Sequence, residues 1–219
     1  DQPTATTLSL VRTDGERALL THNGASADHD LGAVDLGSLE EGDWLLVASL
    51  FLVSAYSGDP LRRVIEEAHS RGARVALDLA WDCTGDWDLD HLAVDTADIV
   101  LGNDKEVKAV ACATDLDTAV EKLMAKGIRS LVVKMGPEGA RVVTRDGLDV
   151  TVPALDVEPI NATGTGDVFN AALMVALSEG KDLEDAVTFA CAAGAVRVAG
   201  GCHKFPTREE VDGLLAEMG

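Results

Sequence analysis

Short apolar runs interleaved with helical segments are the feature that most constrains the fold of this chain. Four runs have strand character: DWLLVAS, RVALD, ADIVLGN and RSLVVKM. Helical segments at 59–72, 104–112 and 116–127 lie between them. Strands that alternate with helices of ten or more residues favour a mostly parallel sheet with helices on both faces. The sequence therefore predicts an α/β fold.

The two ends of the chain depart from this alternation. Residues 6–12 and 17–22 alternate like strands around an Asp-Gly turn, which predicts an antiparallel hairpin outside the main sheet. Two further strand-like stretches meet around Asp146 and Gly147. The chain then closes with three predicted helices, at 165–179, 182–198 and 207–218.

Length and charge limit the partners. A chain of 219 residues suffices for one core, so we predict a single domain over 1–219. Its 18 basic and 38 acidic residues give a net charge of −20, which repels nucleic acid and anionic membranes. The apolar runs are too short to cross a bilayer. We therefore expect neither nucleic acid nor membrane among its partners.

Cysteine and histidine spacing gives no metal signature. The four cysteines have no CxxC spacing and the five histidines no HxH or HExxH pattern, which argues against a transition-metal site. Reduced thiols fit a cytoplasmic protein. The stretch 78–98 holds seven aspartates but lacks the spacing of a calcium loop, so we interpret it as a solvated loop.

The strongest chemical signal is the sequence Gly164-Thr165-Gly166-Asp167 at the start of an apolar helix. The first amides of such a helix have no intrahelical acceptor and can bind an oxyanion or a phosphate. An aspartate there would repel a resting anion unless it accepts a proton from an attacking hydroxyl. The alternative is structural: Thr163 caps the helix and Asp167 complements its dipole.

Two weaker signals follow strands of the predicted sheet. Lys134 to Gly139 form a turn after a buried strand, which is either a ligand-binding edge or an ordinary hairpin turn. Asn103 and Glu106 fit either a helix capping box or a magnesium-phosphate site, and the local sequence does not separate the two. A Walker A motif is absent from the sequence, so a P-loop nucleotide site is excluded.

Together these stretches resemble the ribokinase-like, or PfkB, carbohydrate kinase family. NATGTGDVFNAAL resembles its signature D-T-x-G-A-G-D-x-F, KMGPEG its TLGxxG turn, and NDKE its NxxE motif. The resemblance spans essentially the whole chain and implies a three-layer α/β/α sandwich. Residues of about 4–25 would belong to a small β lid over the sugar. The family's usual N-terminal portion has no counterpart, so we expect the domain to be N-terminally incomplete.

The resemblance also implies roles. Asp167 would be the general base, and the amides of Gly164, Thr165 and Gly166 would hold the transferring phosphoryl group. The residues that it implies at the nucleotide are Asn103, Lys134, Gly136, Gly139 and Cys191, and Glu106 would serve magnesium. The cofactors would be ATP and Mg²⁺.

Three departures from the family pattern matter. Asn161 replaces an aspartate that helps to hold a monovalent cation in several members, which puts a potassium requirement in doubt. Ala162 replaces a common threonine. Cys191 stands near a family asparagine at the adenine, where a buried structural thiol is the alternative.

Two hypotheses follow. The first is ATP-dependent phosphorylation of a hydroxymethyl group of a sugar or nucleoside by a cytoplasmic enzyme. Lid strands that pair between subunits would make it a homodimer. The second is a non-catalytic nucleotide-binding or regulatory module of the same fold, inactive because the N-terminal substrate-binding portion is absent.

Overall fold

The computed structural model describes residues 2–11, 17–53, 56, 58–82, 84–201 and 204–217. The strands are β1 Thr6–Val11, β2 Arg17–His22, β3 Trp44–Val47, β4 Arg74–Asp78, β5 Ile99–Asn103, β6 Ser130–Lys134, β7 Ala140–Thr144 and β8 Asp149–Val152. The α-helices are α1 Gly58–Ser70, α2 Asp104–Val110, α3 Leu116–Ala125, α4 Thr165–Ser178, α5 Leu183–Gly200 and α6 Arg208–Ala216. Within these ranges no helix combines the length and hydropathy needed to cross a membrane.

The main sheet has six strands in the order β3-β4-β5-β6-β7-β8. The four strands β3 to β6 are parallel, and β7 and β8 continue the sheet antiparallel. Helix α1 returns the chain to the same end of the sheet between β3 and β4, and α2 and α3 do so between β5 and β6. The connection from β4 to β5 has no helix among the residues that the structure describes. The predicted mostly parallel sheet is confirmed.

Successive residues of the central strands bury into two separate cores. Val75 and Leu77 of β4 pack with α1, α2 and α3, whereas Ala76 between them packs with α4, α5 and α6. Strands β5 and β6 alternate in the same way. Side chains of a strand point to opposite faces in turn, so a strand buried on both faces is apolar throughout. The result is a three-layer α/β/α sandwich, as predicted.

Local capping sets most helix starts, with one correction. The predicted cap of α1, Asp59, lies inside the first turn because the helix begins at Gly58. The aspartate-rich stretch also differs from a purely solvated loop. Asp82 is buried and accepts from the amides of Thr84 and Trp87 at 2.8 and 2.7 Å, so it organises the loop from within.

The hairpin forms its own two-stranded sheet, as predicted, with Leu8 opposite Leu20 and Leu10 opposite Ala18. The predicted Asp-Gly turn lies outside the described residues. Leu8, Leu10 and Leu20 share one face because side chains alternate along a strand. All three are at least half exposed.

Two glycines in strand connections allow a matched test of backbone strain. A Cβ on Gly139 would lie 2.0 Å from the carbonyl oxygen of Val152, and the residue has φ +96°. Gly147 has φ +107° but open space around it. We expect Gly139→Ala to lower the free energy of unfolding by about 3 kcal/mol or more. Gly147→Ala should lower it by about 1–2 kcal/mol.

Chemical denaturation of both variants measures the difference. Equal losses for the two variants would mean that the strand backbone at Val152 moves away without cost.

Candidate active site

Polar residues end three neighbouring parallel strands. Asp78, Asn103 and Lys134 are the last residues of β4, β5 and β6, respectively. The register places Asn103 opposite Lys134 across the β5–β6 ladder. All three therefore lie at the carboxyl edge of the parallel strands, where open α/β sheets bind their ligands.

Lys134 joins this edge to helix α4. Its ammonium donates to Asp78 Oδ1 at 2.7 Å and to Asn170 Oδ1 at 3.0 Å. Asp78 and Asn170 are 6% and 1% exposed, so both contacts are largely shielded from water. A Cβ built on Gly166 would lie 3.7 Å from the Lys134 nitrogen. The ammonium thus lies directly behind the first turn of α4.

Asn103 and Glu106 form the capping box of α2. Asn103 Oδ1 accepts from the Glu106 amide at 2.9 Å, and Glu106 Oε2 accepts from the Asn103 amide at 2.8 Å. Burial raises the pKa of the Glu106 carboxyl. The Asn103 amide and the Lys134 ammonium offset part of this rise, and Asp78 adds to it. The capping box, one of the two alternatives for these residues, is therefore present. It leaves Glu106 as a buried acid beside the strand ends.

The start of α4 has no side-chain cap. Gly164 occupies the N-cap position with φ +76°, so the proposed capping by Thr163 is wrong. The Thr165 amide contacts the carbonyl oxygen of Ala162 at 3.3 Å. Within the described residues, the amides of Gly166 and Asp167 have no acceptor. This helix start can therefore bind an anion through main-chain donors, although Thr165 contributes less than predicted.

Asp167 is exposed in the first turn of α4. Its carboxylate forms no hydrogen bond or ion pair with the residues that the structure describes. A cleft of about 470 Å³ lies elsewhere among the described residues, between α5 and α6 near Val157. In this chain the carboxylate is therefore accessible, and nothing in the described residues encloses it.

The turn after β6 is short and tightly bonded. Gly136–Glu138 form one turn of 3₁₀ helix, and the Met135 amide donates to the Gly139 carbonyl at 2.8 Å. Gly136 is exposed, whereas Gly139 packs against the backbone after β8. The turn lies at the correct edge of the sheet for a nucleotide, and its own geometry is that of a hairpin.

Cys191 lies in the core shared by α4 and α5 rather than on a surface. It is 9% exposed, and burial raises the pKa of its thiol to about 11, so the thiol is neutral. A nucleotide-binding role for Cys191 stays a prediction.

Sequence reasoning missed three residues of this site. Asp78 and Asn170 are 56 and 36 residues from Lys134 in sequence, and no local motif includes the three. The third is Arg197, which is 4% exposed and donates to the carbonyl oxygens of Thr163 and Gly201. The available signal was a single arginine in the otherwise apolar stretch 189–199 of α5.

Hard oxygen donors are present for a magnesium ion. In the described part of the chain no three acidic, cysteine or histidine side chains cluster as a complete metal site. Magnesium, however, is commonly held by one or two carboxylates together with phosphate oxygens and water. Glu106 and Asp78 fit that incomplete set.

The three-layer α/β/α sandwich, with polar residues at the carboxyl edge of its parallel strands, is the architecture that the resemblance to the ribokinase-like family implies. The model of the pfkB family of carbohydrate kinases matches residues 1–207. The chain belongs to this family, as the sequence resemblance predicted.

Individual relatives act on different acceptors. A ribokinase of Bacillus subtilis is 29% identical over 212 residues, covering 96% of this chain and 68% of the relative. The structure of an adenosine kinase from Sinorhizobium meliloti aligns with a TM-score of 0.80 and 25% identity, over 99% of this chain and 67% of that one. A fructokinase from Vibrio cholerae, solved with fructose, ADP and calcium, has a TM-score of 0.79 and 22% identity over 97% and 74%.

The raised pKa of Glu106 predicts a pH dependence of stability. Because the folded pKa exceeds the ordinary value of 4.5, the charged form costs folding free energy. That cost is absent below the ordinary pKa and grows as pH rises through the folded one. Glutamine keeps the bond to the Asn103 amide without the charge. Raising the pH from acidic to neutral values should therefore lower the free energy of unfolding of wild type relative to that of Glu106→Gln.

Urea denaturation across a pH series checks this prediction. Glu210, the acid of the α6 capping box, is the matched control, because a hydrogen bond from Lys204 lowers its pKa to about 2. The stability that Glu210 contributes is lost as pH falls below its ordinary pKa. The free energy of unfolding of Glu210→Gln should therefore lie farthest below that of wild type at neutral pH. A constant difference for Glu106→Gln would contradict the prediction.

Proposed function

We propose that the protein is an ATP-dependent kinase that phosphorylates a hydroxymethyl group of a sugar or nucleoside. The observation that carries the proposal is the start of α4, where amides without acceptors adjoin the exposed carboxylate of Asp167. A structural helix start gains stability from a side-chain cap, and this one has none. Bound phosphate would supply the missing acceptor.

The residues divide the chemistry between them. Asp167 takes the proton of the acceptor hydroxyl while the hydroxyl oxygen forms a bond to the γ-phosphorus of ATP. The bond from that phosphorus to the β–γ bridging oxygen breaks, and ADP leaves with the electron pair. The first-turn amides of α4 hold the phosphoryl oxygens, on which negative charge is spread in the transition state.

The positive charge of Lys134 favours this step electrostatically. The Lys134 ammonium lies behind Gly166 and is held there by Asp78 and Asn170, so it keeps one position. Its field favours an anion at the start of α4 in a protein whose net charge is −20. The positive potential near Lys134 thus offsets part of the repulsion between a nucleotide and this acidic protein.

A divalent cation, which we propose to be Mg²⁺, fits beside Glu106. Burial makes the charged form of this carboxyl unfavourable, and a cation close by would offset that cost. When bound, the ion would neutralise phosphate charge. Asn103 orients Glu106 through the capping box, and the turn at Gly136 and Gly139 would border the nucleotide.

The hairpin is the element that we assign to the acceptor. Leu8, Leu10 and Leu20 form an exposed apolar face on a separate two-stranded sheet. Such a face suits a lid over the sugar, or a contact with a second subunit.

A second candidate is a nucleotide-binding module without turnover. The openness of the surface around Asp167 favours it, because phosphoryl transfer needs a site that excludes water. This alternative predicts nucleotide binding without ADP release for any acceptor.

We expect Asp167→Asn to lower kcat by about 10²- to 10⁴-fold, because asparagine cannot accept the proton. Nucleotide affinity should change little, since the amides that bind phosphate remain. ADP release is measured against a panel of ribose, fructose, ketodeoxygluconate and adenosine, and nucleotide binding is measured by calorimetry.

Asp185→Asn is the matched control, because Asp185 is an exposed first-turn aspartate at the same position of α5. It should retain wild-type activity. Near-full activity of Asp167→Asn would refute the assigned role, and a wild-type protein that binds nucleotide without turnover would favour the second candidate.

A further inference from the structure

Arg197 is a buried charge that the proposed chemistry does not yet use. It lies in the last turn of α5 and is 4% exposed. Its Nη1 donates to the carbonyl oxygen of Gly201, and its Nη2 donates to that of Thr163. The guanidinium group is cationic, so Arg197 places a positive charge in the interior.

The guanidinium is in contact with the backbone of the anion-binding helix start. A Cβ on Gly164 would lie 3.3 Å from Nη2 of Arg197, and Gly164 immediately precedes α4. Thr163, which accepts from the same nitrogen, is the residue before Gly164. A positive charge at this depth acts on a phosphoryl group with less screening by water than a surface charge would.

A second link ties the same turn to α5. The amides of Ile160 and Asn161 donate to the carbonyl oxygen of Val198 at 2.9 and 3.2 Å. The end of α5 therefore holds residues 160–164 at several points, and Arg197 holds the point closest to the helix start. The planar guanidinium fork suits this task because it can bridge two carbonyl oxygens at once.

Two main-chain carbonyl oxygens that converge on one cationic group form an arrangement that also suits a metal cation. Here the cation is covalently part of the chain. We propose that Arg197 is an internal cation that positions the turn at 160–164 and places permanent positive charge behind the phosphoryl-binding amides, so that this function needs no exchangeable monovalent cation. The proposal rests on the kinase function proposed above.

Removal of the side chain gives a specific expectation. Arg197→Ala leaves the carbonyl oxygens of Thr163 and Gly201 facing a space from which a cation has been removed. In buffer with choline as the only monovalent cation, we expect kcat to fall about tenfold to a hundredfold, below or near the loss from removing one oxyanion donor. Potassium chloride at about 0.1 M should restore a substantial part of the lost kcat, because backbone carbonyl oxygens can replace the hydration shell of a potassium ion.

The readouts separate a positioning role from a merely structural one. A residue that only stabilises the fold would lower Tm equally in choline and potassium. We expect potassium to raise the Tm of Arg197→Ala by several degrees more than that of wild type, because binding to the folded state stabilises it. Wild-type kcat should change less than about twofold between the two salts, which differ little in ionic screening.

Arg145→Ala is the matched control. Arg145 also donates to a backbone carbonyl, that of Gly127, but lies at the opposite end of the β6–β7 pair from Lys134. Its loss should give no potassium dependence of kcat or Tm.

The outcomes decide the proposal. Equal responses of Arg197→Ala and wild type to potassium, in both kcat and Tm, overturn it. If Arg197→Ala does not fold in either salt, Arg197→Met fills the same space without charge, and unchanged kcat in that variant overturns the proposal. If wild type shows no turnover with any acceptor, the kinase function fails, whereas the difference in Tm still tests Arg197 without substrate.

Discussion

The ion pair between Lys134 and Asp78, completed by Asn170, is the interaction on which the site depends. It connects the ends of β4 and β6 to α4 and fixes the distance between the sheet edge and the first turn of that helix. Removing one partner of a buried pair costs about 3–5 kcal/mol, because the other charge is left without compensation. Polar contacts as well as apolar packing therefore hold the sheet edge and the start of α4 together.

Positive charge is concentrated near the start of α4 in an otherwise acidic protein. The net charge of −20 is spread over the whole chain, whereas Lys134 and Arg197 lie close behind the start of α4. Interactions of exposed charges weaken over about 8–10 Å in physiological salt, and buried charges are screened less. Arg197 is buried and Lys134 is partly buried, so both act on the start of α4 at short range with little screening, although Asp78 offsets part of the Lys134 charge.

The sequence predicted the sandwich and the main chemical motif because both depend on local patterns. Strand and helix periodicity identified the elements from β3 to α6, and the glycines around Thr165 marked an unusual helix start. For Asn103 and Glu106 the sequence left a capping box and a magnesium-phosphate site open, and the structure shows the capping box.

What the sequence left out depends on tertiary contacts. Asp78 was grouped with a solvated acidic loop, although its partner lies on another strand. Arg197 had no signal except its place in the apolar stretch 189–199 of α5, since both of its acceptors are main-chain oxygens that any residue supplies. The missed cap at Asp59 shows the usual uncertainty of one or two residues at helix ends.

The end of α5 has a consequence for how this chain tolerates insertions. Each residue of an α-helix turns the direction of the following side chains by about 100°. One extra residue within α5 ahead of Arg197 would swing the guanidinium away from Gly164 or push the following loop out of reach. An insertion in the exposed Asp146–Gly147 turn would leave the start of α4 untouched, whereas the length of α5 is tied to the position of that helix start.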